Sequence, residues 1–240
     1  MKYLLIVGSE GMAAPEDVAV MQREIPGWVE EMDRRGVRLL GRPLDLPETA
    51  ATVRVRDGQT LVTDGPFTEA KEYIAGFDLV ECADLDETIE AAAKSPVSWF
   101  KMIEIRTFAD GPWLGEQASA FGRWEDGAAS PYLLAVWTGG NRAVPPGDQA
   151  VTRQAEAWRQ DLQARGLHIL GGVLEGADTA TTLRVRDGKT LLDDGPFVKT
   201  GESIAGIDVV SCADRQQAIQ LAAAHPAARY HAIEVRSFQN

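Results

Sequence analysis

The sequence predicts an α+β fold built twice: tandem ferredoxin-like units forming an intramolecular dimeric α+β barrel about a pseudo-two-fold axis. Three observations predict it. At a shift of 130, TVRVRDGQTLVTDGPF (52–67) lies over TLRVRDGKTLLDDGPF (182–197) with twelve of sixteen positions identical, far beyond chance. Within each copy the hydrophobic period changes in the order β-α-β, hairpin, β-α-β. Helices placed so cover one face of an antiparallel sheet, and the bare, partly apolar other face needs a cover that the duplicate supplies.

The match continues through IAGFDLVECADL (74–85) over IAGIDVVSCADR (204–215) and MIEIRTF (102–108) over AIEVRSF (232–238). Trp28 falls on Trp158, Gly36 on Gly166 and Gly41 on Gly171, whereas Tyr3 to Val7 match Tyr132 to Val136 at a shift of 129. The units span 1–108 and 131–240, joined by a linker, 109–130, rich in Gly, Ala and Ser. Two tryptophans and Phe121 in it suit a linker that packs against a domain.

Each element has its own signal. Residues 3–7 form a short apolar run ending at Gly8, a strand. Pro15-Glu16-Asp17 opens a helix in which Val18, Met21, Ile25, Trp28, Val29 and Met32 recur at helical steps; Gly36 stops it, and Pro26 is placed to kink or split it. Val37 to Leu46 reads as a second strand. Thr52 to Arg56 and Thr60 to Val62 flank Asp57-Gly58, the chemistry of a tight hairpin turn. Ala75 to Cys82 is a third main strand, Asp84 caps a helix running to about Lys94, and Trp99 to Phe108 closes the unit. In that last strand Ile103 and Ile105 point one way, with Met102, Glu104 and Arg106 opposite; we expect the isoleucines to face the helices.

Composition narrows the function. The 240 residues are 45% hydrophobic and 25% charged, as in a globular chain with a sizeable core. A net charge of -12 repels nucleic acid and anionic membrane surfaces, so neither is an expected partner. The apolar run of five residues in MKYLLIVGSE is short for a signal peptide, and no segment has the ~20 apolar residues of a membrane helix, so the expected address is cytoplasmic. Cys82 and Cys212 have no metal-ligand spacing and read as small buried apolar groups. With no Gly-rich phosphate loop, nucleophile elbow or His-rich cluster, no cofactor and no metal is expected.

The repeated Asp-Gly-Pro-Phe supplies the candidate catalytic residues, Asp64 and Asp194, as general bases or carboxylate ligands. Against this stands a bend-forming role, with aspartate bonding backbone amides, proline fixing φ, and Phe67 and Phe197 plugging the core instead of lining a site. Asp193 adds a second carboxylate to one copy only. Arg54 and Arg56, with Arg184 and Arg186, share one face of the hairpin strand and suit a small anionic metabolite, because a guanidinium fork matches two oxygens. The plainer account is a solvated face bridged to nearby acids. Arg23 and Arg153 coincide between copies and join the ligand-binding candidates, as do Lys71 and Glu72, which the second copy keeps only as Gly201 and Glu202. The Glu104-Arg106 and Glu234-Arg236 pairs suit a structural ladder between the sheets. Trp28 and Trp158 fill the core or wall a pocket.

TVRVRDGQTLVTDGPF followed by EAKEYIAGFDLVECADLDETIEAA resembles the YCII-related family, in its branch known for the DGPF motif, over both halves. The resemblance implies a sheet-to-sheet dimer, here intramolecular, with a site in a cleft. The fold hosts isomerases, dehalogenases and cofactor-independent monooxygenases alike. Related proteins are thought to use a His-Asp pair, but His168, His225 and His231 all lie in the second half, with His168 opposite Arg38 and His231 opposite Lys101. A duplicated dyad is excluded and one asymmetric dyad stays open. The expected function is a metal-independent enzyme acting on a small anionic metabolite beside the DGPF loop, marked by a carboxylate of raised pKa facing a pocket. The alternatives are a non-catalytic ligand-binding module or an accessory to a sigma factor, the latter implied by the family. A higher oligomer stays open.

Overall fold

The computed structural model describes residues 1–11, 14–67, 72–116, 118, 121, 129–139 and 149–239. It is a mixed α+β structure with two antiparallel sheets and four helices among these residues. The first half runs β1 (Lys2–Glu10), α1 (Pro15–Arg34), β2 (Arg38–Pro43), β3 (Ala51–Arg56), β4 (Gln59–Asp64), β5 (Glu72–Glu81), α2 (Leu85–Lys94) and β6 (Met102–Thr107). A short β7 (Trp113–Leu114) lies in the linker. The second half repeats the order as β8 (Ser130–Thr138), α3 (Gln149–Ala164), β9 (His168–Val173), β10 (Thr181–Arg186), β11 (Lys189–Asp194), β12 (Ser203–Cys212), α4 (Arg215–Ala224) and β13 (Ala232–Ser237).

Local chemistry accounts for the boundaries. Pro15 opens α1 and Gly36 ends its turn at φ +68°, while the helix passes through Pro26 without a break. Asp84 accepts from the Glu87 N–H at 2.9 Å at the start of α2, and Asp214 does the same for Gln217 at 2.8 Å in α4. Asp57-Gly58 and Asp187-Gly188 all have positive φ, the requirement of a two-residue turn that matches strand twist.

In each half the main strands take the ferredoxin-like order, β6-β1-β5-β2 and β13-β8-β12-β9. The hairpins are exchanged. The pair β10–β11 extends the first half's sheet through β6, with Thr182 opposite Glu104, while β3–β4 extends the second half's sheet through β13, with Thr52 opposite Glu234. Local turn chemistry and spacing within one copy do not specify this crossing.

Three apolar clusters follow. Tyr3, Leu5, Trp28, Met32, Val80, Ile103 and Ile105 pack between the first half's helices and its sheet, joined by Leu183 from the exchanged hairpin. A matching cluster in the second half includes Leu134, Val136, Val210 and Ile233 with Ala51 and Val53 from the first. The third draws Leu4, Ile6, Phe77 and Leu79 from one sheet and Leu133, Ala135, Ile207 and Val209 from the other, so the faces turned away from the helices meet. Each such side chain contributes about 1.5–3 kcal/mol when fully buried. The isoleucines of β6 face the helices as expected, and Met102 joins the core between the sheets. Phe121 of the linker is fully buried between Phe77 and Phe238, ring centroids 6.1 and 5.1 Å away. No helix among the described residues is long and apolar enough to cross a membrane.

Candidate functional site

A cavity of about 390 Å³ lies between α1 and the sheet of the first half. Its roof comprises Val18, Met21, Ile25, Trp28 and Val29 of α1, and its floor is drawn from β1, β2 and β5 at Val7, Gly41, Pro43, Gly76 and Asp78. The walls are mainly apolar, with Arg38, Arg42, Asp45, Asp78 and Lys101 as charged groups. The expected cleft between the two sheets is instead closed by packed side chains, including Trp137, 1% exposed.

Strand alternation places Asp78 here. Its neighbours Phe77 and Leu79 enter the core between the sheets, so Asp78 points toward α1. Gly41 sits opposite on β2, and a Cβ there would lie 1.9 Å from Asp78 Oδ1. The glycine is thus the space the carboxylate occupies. A register shift between Arg38 and Leu40 marks a bulge beside it, a device that re-aims side chains. Arg38 Nε donates to Asp78 Oδ1 at 2.7 Å and its NH2 to the Gly41 carbonyl at 2.7 Å. Burial raises the Asp78 pKa above the usual carboxylate value; Arg38 opposes the rise and Asp33 adds to it. Lys101 donates to Ser9 Oγ at 2.6 Å, and burial lowers its pKa.

The equivalent place in the second half is filled. Asp208, fully buried, receives Arg159 Nε at 2.7 Å and NH2 at 3.1 Å, His168 Nε2 lies 2.9 Å from Oδ1, and His225 Nε2 stands 3.7 Å from Oδ2. Arg159 aligns with Val29 and His225 with Ser95, both lining residues of the first half's cavity. Burial drives the Asp208 pKa upward, but Arg159 and the bond from His168 outweigh it and hold the group at about 2. Burial keeps His225 down at about 4. A His-Asp pair therefore exists in one copy, shut inside an ion cluster.

The residues singled out from the sequence are dispersed. Asp64 is 87% exposed at the end of β4 and pairs with Arg215 at 2.9 Å; Asp194 is exposed at the end of β11. Gly65 and Gly195 between them and the prolines have φ of +98° and +91°. Phe197 is buried in the core between the sheets and Phe67 packs at its edge. The loops are fastened across the halves: the Phe197 N–H donates to Glu104 Oε2 at 3.0 Å, and the Phe67 N–H to Glu234 Oε2 at 3.1 Å. Glu104 and Glu234 are each gripped by the arginine two residues on, Arg106 and Arg236, at 3.0 Å. Those arginines also donate to opposite-half carbonyls, of Ile204 and Glu175 or of Ile74 and Asp45.

Arg56 donates to the carbonyls of Ala228 and Arg229, and Arg186 to those of Ser98 and Trp99, each capping a 3-10 turn of the other half. Arg54 lies over the Phe67 ring, 5.2 Å from its centroid, and Arg184 stands 3.6 Å from Asp193. Arg23 and Arg153 are exposed on their helices, Arg23 paired with Glu24 at 2.8 Å. Glu72 begins β5, and Lys71 lies outside the described residues. Trp28 both fills the core and walls the cavity, its Nε1 donating to the Ala91 carbonyl at 3.1 Å. Cys82 and Cys212 are buried, which raises both thiols, Cys212 to about 12. Among the described residues no group of three or more His, Cys, Asp or Glu side chains is placed to hold a metal ion.

The aspartate in a repeated apolar strand, IAGFDLVE over IAGIDVVS, is the sequence signal of this site. A carboxylate on the buried face needs a partner.

Known proteins give the following likenesses. A stretch of 48 residues, 20% of this chain, is 52% identical to the "Uncharacterized protein R00369" of Rhizobium meliloti (strain 1021) and spans 39% of that protein's length. An anthrone oxidase-like protein of solved structure is similar at a TM-score of 0.37 and 9% identity over 99% of this chain and 92% of its own. The solved structure of "Putative Chlorite dismutase TA0507" is similar at a TM-score of 0.40 and 9% identity over 100% of this chain and 94% of its own. The family model of the YCII-related domain matches residues 1–109 and again 133–239, so the chain belongs to the YCII-related family and carries its domain twice.

Proposed function

We propose that this chain is an enzyme of small-molecule acid–base chemistry, with its working cavity under α1 of the first half. The observation that carries the reading is Asp78, a half-buried carboxylate of raised pKa, its side chain 20% exposed, on the floor of a mainly apolar cavity of about 390 Å³. Arg38 Nε occupies Oδ1 and orients the group, leaving Oδ2 to exchange a proton with a bound molecule. Apolar walls favour a substrate with a compact hydrophobic body. In this reading the halves, 1–108 and 131–240 joined by 109–130, act as an intramolecular pseudo-dimer of the barrel type. One copy keeps the cavity, and the other, with Arg159 and His225 inside it, serves as scaffold. The DGPF loops build that scaffold and do not wall the cavity.

A thermal-shift screen of small organic acids, phenols and carbonyl compounds tests the proposal on the full chain. Ligands should raise the melting temperature of the wild type and of Asp64→Ala. They should lose their effect on Val29→Arg combined with Ser95→His, which copies the filled site. Turnover of any such ligand should fall by about 10²-fold or more in Asp78→Asn while its binding remains. Ligands that bind the filled variant as well as the wild type, or turnover that survives Asp78→Asn, would overturn the reading.

A further inference from the structure

We infer that the ligand of this site is an amphipathic carboxylic acid, its apolar body under α1 and its carboxylate held by Lys101 and Arg184 in a second, polar cavity that the exchanged hairpin completes. The inference rests on the reading of the Asp78 cavity given above. The polar cavity, about 210 Å³, is lined by Ser9, Glu10, Asp17 and Lys101 of the first half and by Arg184 and Arg186 of the second.

Lys101 lines both cavities. Its ammonium is directed to the polar side, since it bonds Ser9 Oγ, and the Ser9 hydroxyl in turn donates a hydrogen bond to the Gly11 carbonyl at 2.9 Å. Among the described residues no carboxylate comes within ion-pair distance of Lys101. A partly buried ammonium held by one hydroxyl is poorly compensated for the water it has lost, and an arriving oxyanion supplies what is missing.

Arg184 comes from β10, on the far side of the chain's repeat, and its contact with Asp193 at 3.6 Å is longer than a hydrogen bond. Arg186 is committed to the Ser98 and Trp99 carbonyls and serves as wall. Lys101, Arg184 and Arg186 against Glu10 and Asp17 leave the lining with one net positive charge, suited to a carboxylate and not to a polyphosphate. The second half cannot repeat the arrangement. His231 stands where Lys101 does, and burial together with Arg56 pushes it toward its neutral form.

Calorimetric titration of the full chain at pH 7 with octanoate and with 1-octanol separates this inference from the reading beneath it. Octanoate should bind the wild type about tenfold or more tightly than octanol. Lys101→Met and Arg184→Gln should each bring octanoate down to the affinity of octanol without altering octanol, and Lys101→Arg should keep the preference. Val29→Arg should remove both ligands. Equal binding of acid and alcohol, or a preference untouched by Lys101→Met and Arg184→Gln, refutes the carboxylate subsite while leaving the apolar cavity in place. If neither compound binds, the cavity reading fails and the subsite with it.

Discussion

Asp78 and Asp208 hold the same place on the same strand of the repeat, each against a glycine with no room for a Cβ, yet their environments push them in opposite directions. Burial dominates at Asp78, where a single arginine and a nearby aspartate leave the pKa raised. At Asp208 a bidentate arginine and a histidine overcome burial, and the carboxylate stays ionised to about pH 2. That carboxylate is bonded to His168 through Nε2, and burial holds His225 neutral down to about 4. The consequence for stability has a definite sign. With a folded pKa of about 4 against an ordinary 6.5, the folded state binds fewer protons than the unfolded chain below pH 6.5. The contribution of His225 is therefore full above 6.5 and is lost as the pH falls toward 4. The Asp208 contribution is full above 3.8 and fades only as the pH approaches 2, so within this cluster His225 is the group that acts between 6.5 and 4; His231, likewise pushed down by burial, adds a fall of the same sign, and the raised Asp78 opposes it. The His225 shift corresponds to about 3 kcal/mol. For a chain of this length the melting temperature should drop roughly 5–10 °C across that window on this account. His225→Ser, which installs the residue found at Ser95, should flatten the profile. An equally steep fall in the variant would remove His225 as its cause.

At the scale of elements, the DGPF segment is a fastening. Its glycine needs positive φ, its phenylalanine N–H is held by a buried glutamate of the opposite half, and its aspartate is turned to solvent. Glu104 is only 2% exposed and its neighbour Arg106 is 1% exposed, so removing the glutamate leaves an arginine inside the protein without its counter-ion. Glu104→Ala should cost about 3–5 kcal/mol in denaturant unfolding, whereas Asp64→Ala should stay within about 1 kcal/mol. Comparable losses from the two variants would show that the loop is held by something other than Glu104. Much of this level was legible in the sequence. Alternation in MIEIRTF separated the isoleucines from Met102, Glu104 and Arg106, and Asp57-Gly58 fixed a hairpin, because side-chain direction and turn chemistry are local properties; alternation does not say which set faces the helices. The partner of that hairpin was not legible. Thr52 could pair with a neighbour on its own last strand or on the copy's, and the repeat makes the two strands nearly the same sequence. Asp78 was visible as a carboxylate in an apolar strand, but a bulge on β2 brings Arg38 to it and a turn before β6 brings Lys101 to the wall of the same cavity, which no spacing announces.

For the whole molecule, exchange means that neither half owns a complete sheet. Strand β6 carries β10 along one edge and β13 carries β3, while Arg56 and Arg186 cap turns on the opposite half and Glu104 and Glu234 hold opposite loops. A half produced alone would expose the edge of its last strand and the apolar face around Phe77 and Leu79, or Ile207 and Val209, together with a buried ion pair stripped of its loop. Surfaces of that kind drive association. The linker adds Phe121 between Phe77 and Phe238, one ring from each half, but its covalent continuity is not what pairs the strands. Residues 1–121 and 129–240, co-expressed with an affinity tag on one fragment only, should therefore be recovered as a 1:1 complex. Each fragment expressed by itself should aggregate or form a symmetric dimer by the same hairpin exchange. Size-exclusion chromatography with light scattering reads the outcome directly. Two stable monomers that ignore each other would show that each hairpin can fold back on its own sheet, and the polar cavity completed by Arg184 would then have no reason to exist.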